Sequence, residues 1–280
     1  MELGIGSYAY RWAVGTDAFS PSEPMRLNTM VEETATLGCM LLQIADSKEL
    51  EAMDAGQRRR LRDHAARAGV RLQTGTSGCT PDQMVRHLEI ARDLDADVVR
   101  VVLDADGVNP TQREVEATLG AVAPSYAAAG VTVAIENHFL TPSTEIDAIV
   151  RTVASPAVGV CLDTANSIMV HEWPDYTIGM LAPHAVNLHL KDYAVVPDEN
   201  GVGGHVVGRR LGDGLLGISA LLDALAAADA RMGGRLGVII EQWLPFGPDE
   251  LATLGAERAG REANVLLARA ILDAHTQTAS

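Results

Sequence analysis

The chain reads as a single (β/α)8 TIM barrel spanning residues 1–280, and three observations predict it. Short apolar, strand-like runs alternate with longer helical stretches from one end to the other, as repeated βα units require. Eight such runs occur, at 2–8, 40–45, 70–76, 97–103, 131–136, 158–163, 185–190 and 236–241. No linker or low-complexity tract interrupts the series, so one domain is expected. An open doubly wound sheet would carry a Gly-rich phosphate turn after its first strand, and Ile5-Gly6-Ser7-Tyr8 has none.

The helices between the runs announce their ends. Thr80-Pro81-Asp82-Gln83 and Asn109-Pro110-Thr111-Gln112 each place a capping residue before a proline, with Gln three residues after the cap. Thr141-Pro142 and Gly247-Pro248 start helices similarly, and Gly38, Gly69 and Gly130 sit where helices should stop. The Gly-rich stretch 201–214, with His205, Arg209 and Arg210, reads as a long lid loop after the seventh strand.

Composition narrows the partners. With 22 basic against 37 acidic side chains, a net charge of −15, there is no electrostatic footprint for nucleic acid or an anionic membrane. No apolar run approaches the roughly 20 residues of a membrane-spanning helix. The opening MELGIGSYAY lacks the basic and apolar segments of a signal peptide. Cys39, Cys79 and Cys161 are odd in number and far apart, which predicts reduced thiols and a cytoplasmic protein. Lys48 and Lys191 are the only lysines.

The last four strands carry the functional signal. Bulky residues at 131, 133 and 135 alternate with Thr132, Ala134 and Glu136, and those at 158, 160 and 162 alternate with Gly159, Cys161 and Asp163. Val186, Leu188 and Leu190 alternate with Ala185, Asn187 and His189, and Val238 and Ile240 with Gly237, Ile239 and Glu241. The bulky sets should face the helices and the smaller sets the barrel interior. Each inward series ends in an ionisable residue at the C-terminal end of its strand, where barrel enzymes build their sites. Any one of these acids could cap a helix or pair with an arginine. Four in register must instead converge, and three crowded carboxylates demand protonation or a cation. Three hard oxygen donors and one imidazole suit one divalent ion, Mn²⁺ foremost, with Mg²⁺ or Co²⁺ as alternatives.

Ile135-Glu136-Asn137-His138, Leu162-Asp163-Thr164-Ala165-Asn166, His189-Leu190-Lys191-Asp192, Gly212-Asp213-Gly214 and Ile240-Glu241 resemble the motifs of the sugar isomerase/epimerase superfamily. This is the xylose-isomerase-like barrel group, which includes ketose 3-epimerases, hydroxypyruvate isomerase, inosose dehydratase and the endonuclease IV branch. The resemblance implies a single metal held by Glu136, Asp163, His189 and Glu241, with Glu136 and Glu241 also exchanging protons with substrate. It also implies a homo-oligomer. The family often has His three residues beyond the metal Asp, where this chain has Asn166. Ketose 3-epimerases have a second Glu six residues after the first, where this chain has Pro142.

The implied chemistry is proton abstraction α to a carbonyl, through a metal-stabilised enediolate, on a small sugar, keto-sugar or cyclitol. Epimerisation or isomerisation follows from where the proton returns. A lyase or dehydratase acting on a 3-keto-sugar or inosose would use the same base, and a non-catalytic sugar-binding barrel would use neither. Nuclease chemistry is disfavoured for want of a basic face and further histidines, and hydride-shift chemistry for want of a second metal's ligands. Expected substrate contacts are His138, Asn166, Lys191, Asp192, Arg209 and Trp12, with Trp243 as a second apolar wall. His64, His87 and His275 read as surface residues, and Cys161 as inward filler.

Overall fold

The computed structural model describes residues 1–279. Strands β1 (Glu2–Gly6), β2 (Leu41–Ala45), β3 (Arg71–Ser77), β4 (Val98–Val102), β5 (Thr132–Glu136), β6 (Val158–Asp163) and β7 (Ala185–Leu190) pair in parallel in sequence order. After β7 the chain forms an antiparallel hairpin, β8 (Asp192–Pro197) with β9 (Gly204–Arg209). It then returns as β10 (Gly237–Ile240), which pairs with both β7 and β1 and closes an eight-stranded barrel. The expected fold is therefore present in every strand, with ends shifted by a few residues. β1 stops at Gly6 because Ser7–Tyr10 tightens into a 3₁₀ turn.

The bulky alternate residues, such as Val133, Ile135, Val160 and Leu162, are buried in the layer between barrel and helices. Inside the barrel, Val98, Ala134 and Cys161 form a small separate apolar cluster, so Cys161 is filler as expected. One register detail differs from the simple alternation. The β6–β7 ladder shifts between Val160 and Cys161, pairing Val160 with Ala185 but Cys161 with Asn187. Ala185 consequently joins the outer core, while Val186 packs on the inner cluster. Gly159 makes room for this, since a Cβ there would come within 2.7 Å of the Val186 side chain. From Asn187 onward the face alternates as the sequence predicts.

Some helix signals hold and others shift: Ser143–Val153 has Pro142 itself at its N-cap with no cap from Thr141, and Glu250–Ala279 starts two residues after Pro248, with Asp249 accepting from the Ala252 amide. Thr80 caps Pro81–Leu94 by accepting from the Gln83 amide, and Gly38, Gly69 and Gly130 end helices at positive φ. The second cap is Thr111, which forms a capping box with Glu114, and not Asn109. Both residues of the Thr111/Glu114 box satisfy an otherwise orphaned amide, which Asn109 and Gln112 would not improve. His87 is buried, not on the surface, because it lies on the barrel-facing side of Pro81–Leu94.

The C-terminal helix Glu250–Ala279 locks the first strand's exit turn. Buried Glu257 accepts from the backbone amides of Trp12 (2.7 Å) and Ala13 (3.0 Å) and from Arg261 (3.0 Å). That clamp fixes Trp12 and Arg11 at the mouth of the barrel.

Candidate active site

Glu136 and Asp163 end β5 and β6, His189 is the penultimate residue of β7, and Glu241 follows β10 directly. Strand alternation brings all four into the barrel's C-terminal mouth. His189 Nδ1 lies 3.3 Å from Glu241 Oε1, 3.5 Å from Glu136 Oε1 and 3.8 Å from Asp163 Oδ2. Donor atoms of Glu136, Asp163 and His189 lie within 4.8 Å of one another, an arrangement that could hold a metal ion. His189 Nδ1 makes no hydrogen bond, although it is buried. The second oxygen of Asp163 is used differently, accepting from the amides of Ala165 and Asn166 at 2.8 Å. Asn137 clasps the Asp163 backbone from both sides, at 2.7 and 2.9 Å.

Two buried cations complete the cluster. Lys191 Nζ sits between Asp163 Oδ2 (2.6 Å) and Glu241 Oε2 (2.8 Å), above the Trp243 ring at 5.3 Å. Arg100, in the middle of β4 and only 2% exposed, reaches Glu136 Oε2 at 2.7 Å and Asp46 Oδ2 at 3.0 Å. The Tyr8 hydroxyl donates to the same Asp46 oxygen at 3.2 Å. Asn166 Nδ2 donates to Glu136 Oε1 at 2.8 Å, so both oxygens of Glu136 are engaged.

These contacts set the charge states. Burial alone would push the Glu136 carboxyl up, but Arg100 and His189 hold it well below the ordinary range. Glu241 is likewise lowered, with His189 and Lys191 outweighing its burial. For Asp163 burial wins and the carboxyl is raised, despite Lys191 beside it. Burial works against the charged forms of Lys191 and His189. Asp163 and Glu241 nevertheless hold Lys191 above its usual value, and Cys161, Glu241 and Glu136 do the same for His189. Ligation of an ion would displace the proton from that imidazole, and four carboxylates (Asp46, Glu136, Asp163, Glu241) would then face two cations. Two negative charges remain, which one divalent ion would balance, and the oxygen-rich donor set with one nitrogen suits such an ion.

A cavity of about 620 Å³ opens onto this cluster. Trp12 and Trp243 line it as expected, with His138 and Asn166 at its wall. Trp12 is anchored by its indole N–H to the Leu244 carbonyl at 2.8 Å and packs edge-on against Phe246. His138 stacks on Phe139, with ring centroids 4.1 Å apart.

Asp192 and Arg209 lie elsewhere. Asp192, three residues past His189, falls on the opposite strand face. Its carboxylate accepts from four backbone amides: Tyr193 (2.8 Å), Gly212 (2.9 Å), Gly214 (3.1 Å) and Leu216 (3.1 Å). A Cβ at Gly214 would overlap that carboxylate, which accounts for Gly212-Asp213-Gly214 as the turn that wraps it. Arg209 is exposed at the end of β9 and donates to the Gly208 carbonyl at 3.2 Å. The expected lid loop is largely an ordered hairpin, and its Val206, Val207 and Gly208 form one cavity wall. A Cβ at Gly208 would collide with the Trp243 carbonyl, so glycine allows the hairpin to close against the segment that leaves β10.

Arg100, Tyr8, Asp46 and Gln43 were not anticipated as site residues. The signal was nevertheless present in Val98-Val-Arg-Val-Val102 and Leu41-Leu-Gln-Ile-Ala45. A charged or amide side chain at an inward position of an otherwise apolar strand must find a buried partner.

Residues 31–243 match the family described as Xylose isomerase-like TIM barrel. The chain is 32% identical over 246 residues to the 3-oxo-isoapionate decarboxylase of Pectobacterium atrosepticum, covering 88% of this chain and 87% of that protein. Among solved structures, a D-psicose 3-epimerase in the presence of D-fructose superposes with a TM-score of 0.67 at 18% identity, covering 97% of this chain and 98% of that one. A xylose isomerase-like TIM barrel protein from Mycobacterium smegmatis in complex with magnesium gives a TM-score of 0.68 at 13% identity, with 95% of each chain covered.

Proposed function

The chain belongs to the xylose isomerase-like TIM barrel family, and from that premise we propose that it is a metal-dependent lyase. Its reaction in this reading is decarboxylation of a 3-oxo sugar acid through an enolate. The observation that carries this reading is the pairing of both glutamates with buried cations, Glu136 with Arg100 and Glu241 with Lys191. An α-proton abstractor needs a carboxylate of useful basicity, and cation pairing removes it. Loss of carbon dioxide needs no base. The bond to the carboxylate carbon breaks and its electron pair moves toward the keto carbon. An enolate oxyanion forms, carbon dioxide leaves, and a proton then adds to the carbon left behind. The relative at 32% identity is itself named for a decarboxylation of an oxo acid.

Glu136, Asp163, His189 and Glu241 would hold a divalent ion, Mn²⁺ or Mg²⁺ by donor type, and that ion would supply Lewis-acid stabilisation of the oxyanion. The chain's own groups do the rest. Lys191 presents an ammonium already desolvated next to the forming oxyanion, where its charge acts at low dielectric. Asn166 and Arg100 hold Glu136 in one rotamer. Trp12 and Trp243 wall the cavity. Tyr8, kept protonated by burial, offers a neutral hydroxyl at the cavity wall for proton return.

A second reading, sugar epimerase or isomerase, draws on Glu136 and Glu241 each placing an oxygen within 3.5 Å of His189 Nδ1 at the cavity. NMR in D₂O with metal-loaded protein separates the two. The lyase reading expects carbon dioxide release from 3-oxo sugar acids, with one deuterium at the former carboxyl-bearing carbon. Deuterium wash-in on neutral ketoses without carbon dioxide would favour the epimerase, and neither signal would leave a sugar-binding barrel.

A further inference from the structure

Beneath the charged cluster lies a layer of buried amides whose hydrogen-bond polarity can be traced from its outer end. Asp97, at the head of β4, is a carboxylate and can only accept. Its Oδ1 receives Gln73 Nε2 at 3.3 Å, which turns the Gln73 amino group outward and its Oε1 into the barrel. Gln73 Oε1 then accepts from Gln43 Nε2 at 3.2 Å and Asn187 Nδ2 at 3.0 Å. Gln43 Nε2 also donates to Asn187 Oδ1 at 3.0 Å. With its amino group spent on those two, Gln43 presents Oε1 to His189 Nε2 at 2.6 Å. A carbonyl oxygen cannot donate, so Nε2 must carry a proton. In a neutral ring the lone pair is then on Nδ1, the nitrogen that faces Glu136, Asp163 and Glu241.

We infer that Asp97, Gln73, Gln43 and Asn187 form a positioning network whose fixed polarity presents His189 to a divalent ion through Nδ1. The inference rests on the metal-centre reading given above. All three amides are buried, and reversing them together would set Gln73 Oε1 against Asp97 Oδ1, two acceptors with no proton between them, while reversing any one alone would set like groups against each other inside the barrel. Gly237 supplies the space, because a Cβ there would come within 2.7 Å of Asn187 Nδ2. The arrangement uses β2, β3, β4, β7 and β10, so ring orientation at the mouth is set by residues two layers below it.

The test compares wild-type protein with Gln43→Leu and Gln43→Glu by calorimetric titration with Mn²⁺, alongside thermal melts. Gln43→Leu removes the acceptor and should weaken Mn²⁺ binding roughly 10- to 100-fold, the usual loss when such a partner of a ligating histidine is removed. Gln43→Glu keeps an acceptor for Nε2 but loses the amide donors. It should bind Mn²⁺ at least as tightly as wild type while melting earlier, which separates ligand positioning from packing. Nitrogen-15 NMR of wild-type protein loaded with Zn²⁺ should show the His189 proton on Nε2 and none on Nδ1. Unchanged affinity in Gln43→Leu, equal losses in both variants, or a proton on Nδ1 would overturn the inference. Wild-type protein that binds no ion would overturn the metal-centre reading with it.

Discussion

A guanidinium cannot shed its proton to escape burial, so Arg100 must be held by the two carboxylates it joins. Glu136 and Asp46 meet that requirement, and Arg100 in turn keeps Glu136 ionised in a site with two other acids. Arg100→Met should therefore destabilise the protein by about 3–5 kcal/mol, because two carboxylates lose their counter-ion in a largely dry site. Urea unfolding measures this, and a change below 1 kcal/mol would mean that the pairing is unimportant to the fold. Lys191→Met should leave metal binding intact and lower kcat by roughly 10²–10³, the cost of one missing oxyanion partner. Glu136→Gln and Glu241→Gln should each weaken ion retention, read by metal content after dialysis. At this scale the sequence was legible where the residue type was unusual for its place, as at Glu136, Asp163, His189 and Glu241. It was misleading at Asp192, where acidity beside the metal motif suggested a site role although the odd spacing from His189 sends the side chain to the other strand face. At Gln43 the signal was fainter, because an amide in an apolar run demands a buried partner but carries no charge to say which.

At the level of elements, strands and caps follow from alternation and from glycine and proline placement, while the unexpected element is the β8–β9 hairpin. Its flanks are Gly-rich and polar, which reads as loop, but Asp192 gathers four amides of the returning turn and anchors the hairpin at its base. Asp192→Ala should leave those donors unpaired and cost about 3 kcal/mol, with faster amide exchange confined to 192–216. Exchange that speeds equally throughout the barrel would contradict a local role. Helix Pro81–Leu94 contributes a pH dependence of its own. Burial lowers the His87 pKa to about 4, below its ordinary value near 6.5, so the folded state resists protonation. The unfolded chain binds the extra proton first. Stability from this group is thus complete above pH 6.5 and is lost as pH falls toward 4, by up to about 3 kcal/mol. His87→Gln should flatten denaturation midpoints across that window, and an unchanged slope would assign the acid sensitivity elsewhere.

For the whole molecule, the barrel solves a conflict that no single strand could. It collects carboxylates from four strands into one mouth and offsets them with Arg100 and Lys191 from two more positions. The remaining negative charge is left for a divalent ion. The alternation rule made this convergence visible, whereas the β6–β7 register shift was not, since it depends on Gly159 meeting Val186 across the sheet. The pairing with Arg100 and Lys191 shows how a chain of net charge −15 keeps these acids together at one end of a barrel, and in the proposed metal centre a divalent ion would offset the rest. Chelation should accordingly lower the melting temperature, and readdition of Mn²⁺ should restore it. The most direct test is an anomalous difference map from crystals grown with Mn²⁺. The account predicts one strong peak bounded by Glu136, Asp163, Glu241 and His189 Nδ1. No peak there, or a peak held without Glu241 and through Nε2 of His189, would contradict it.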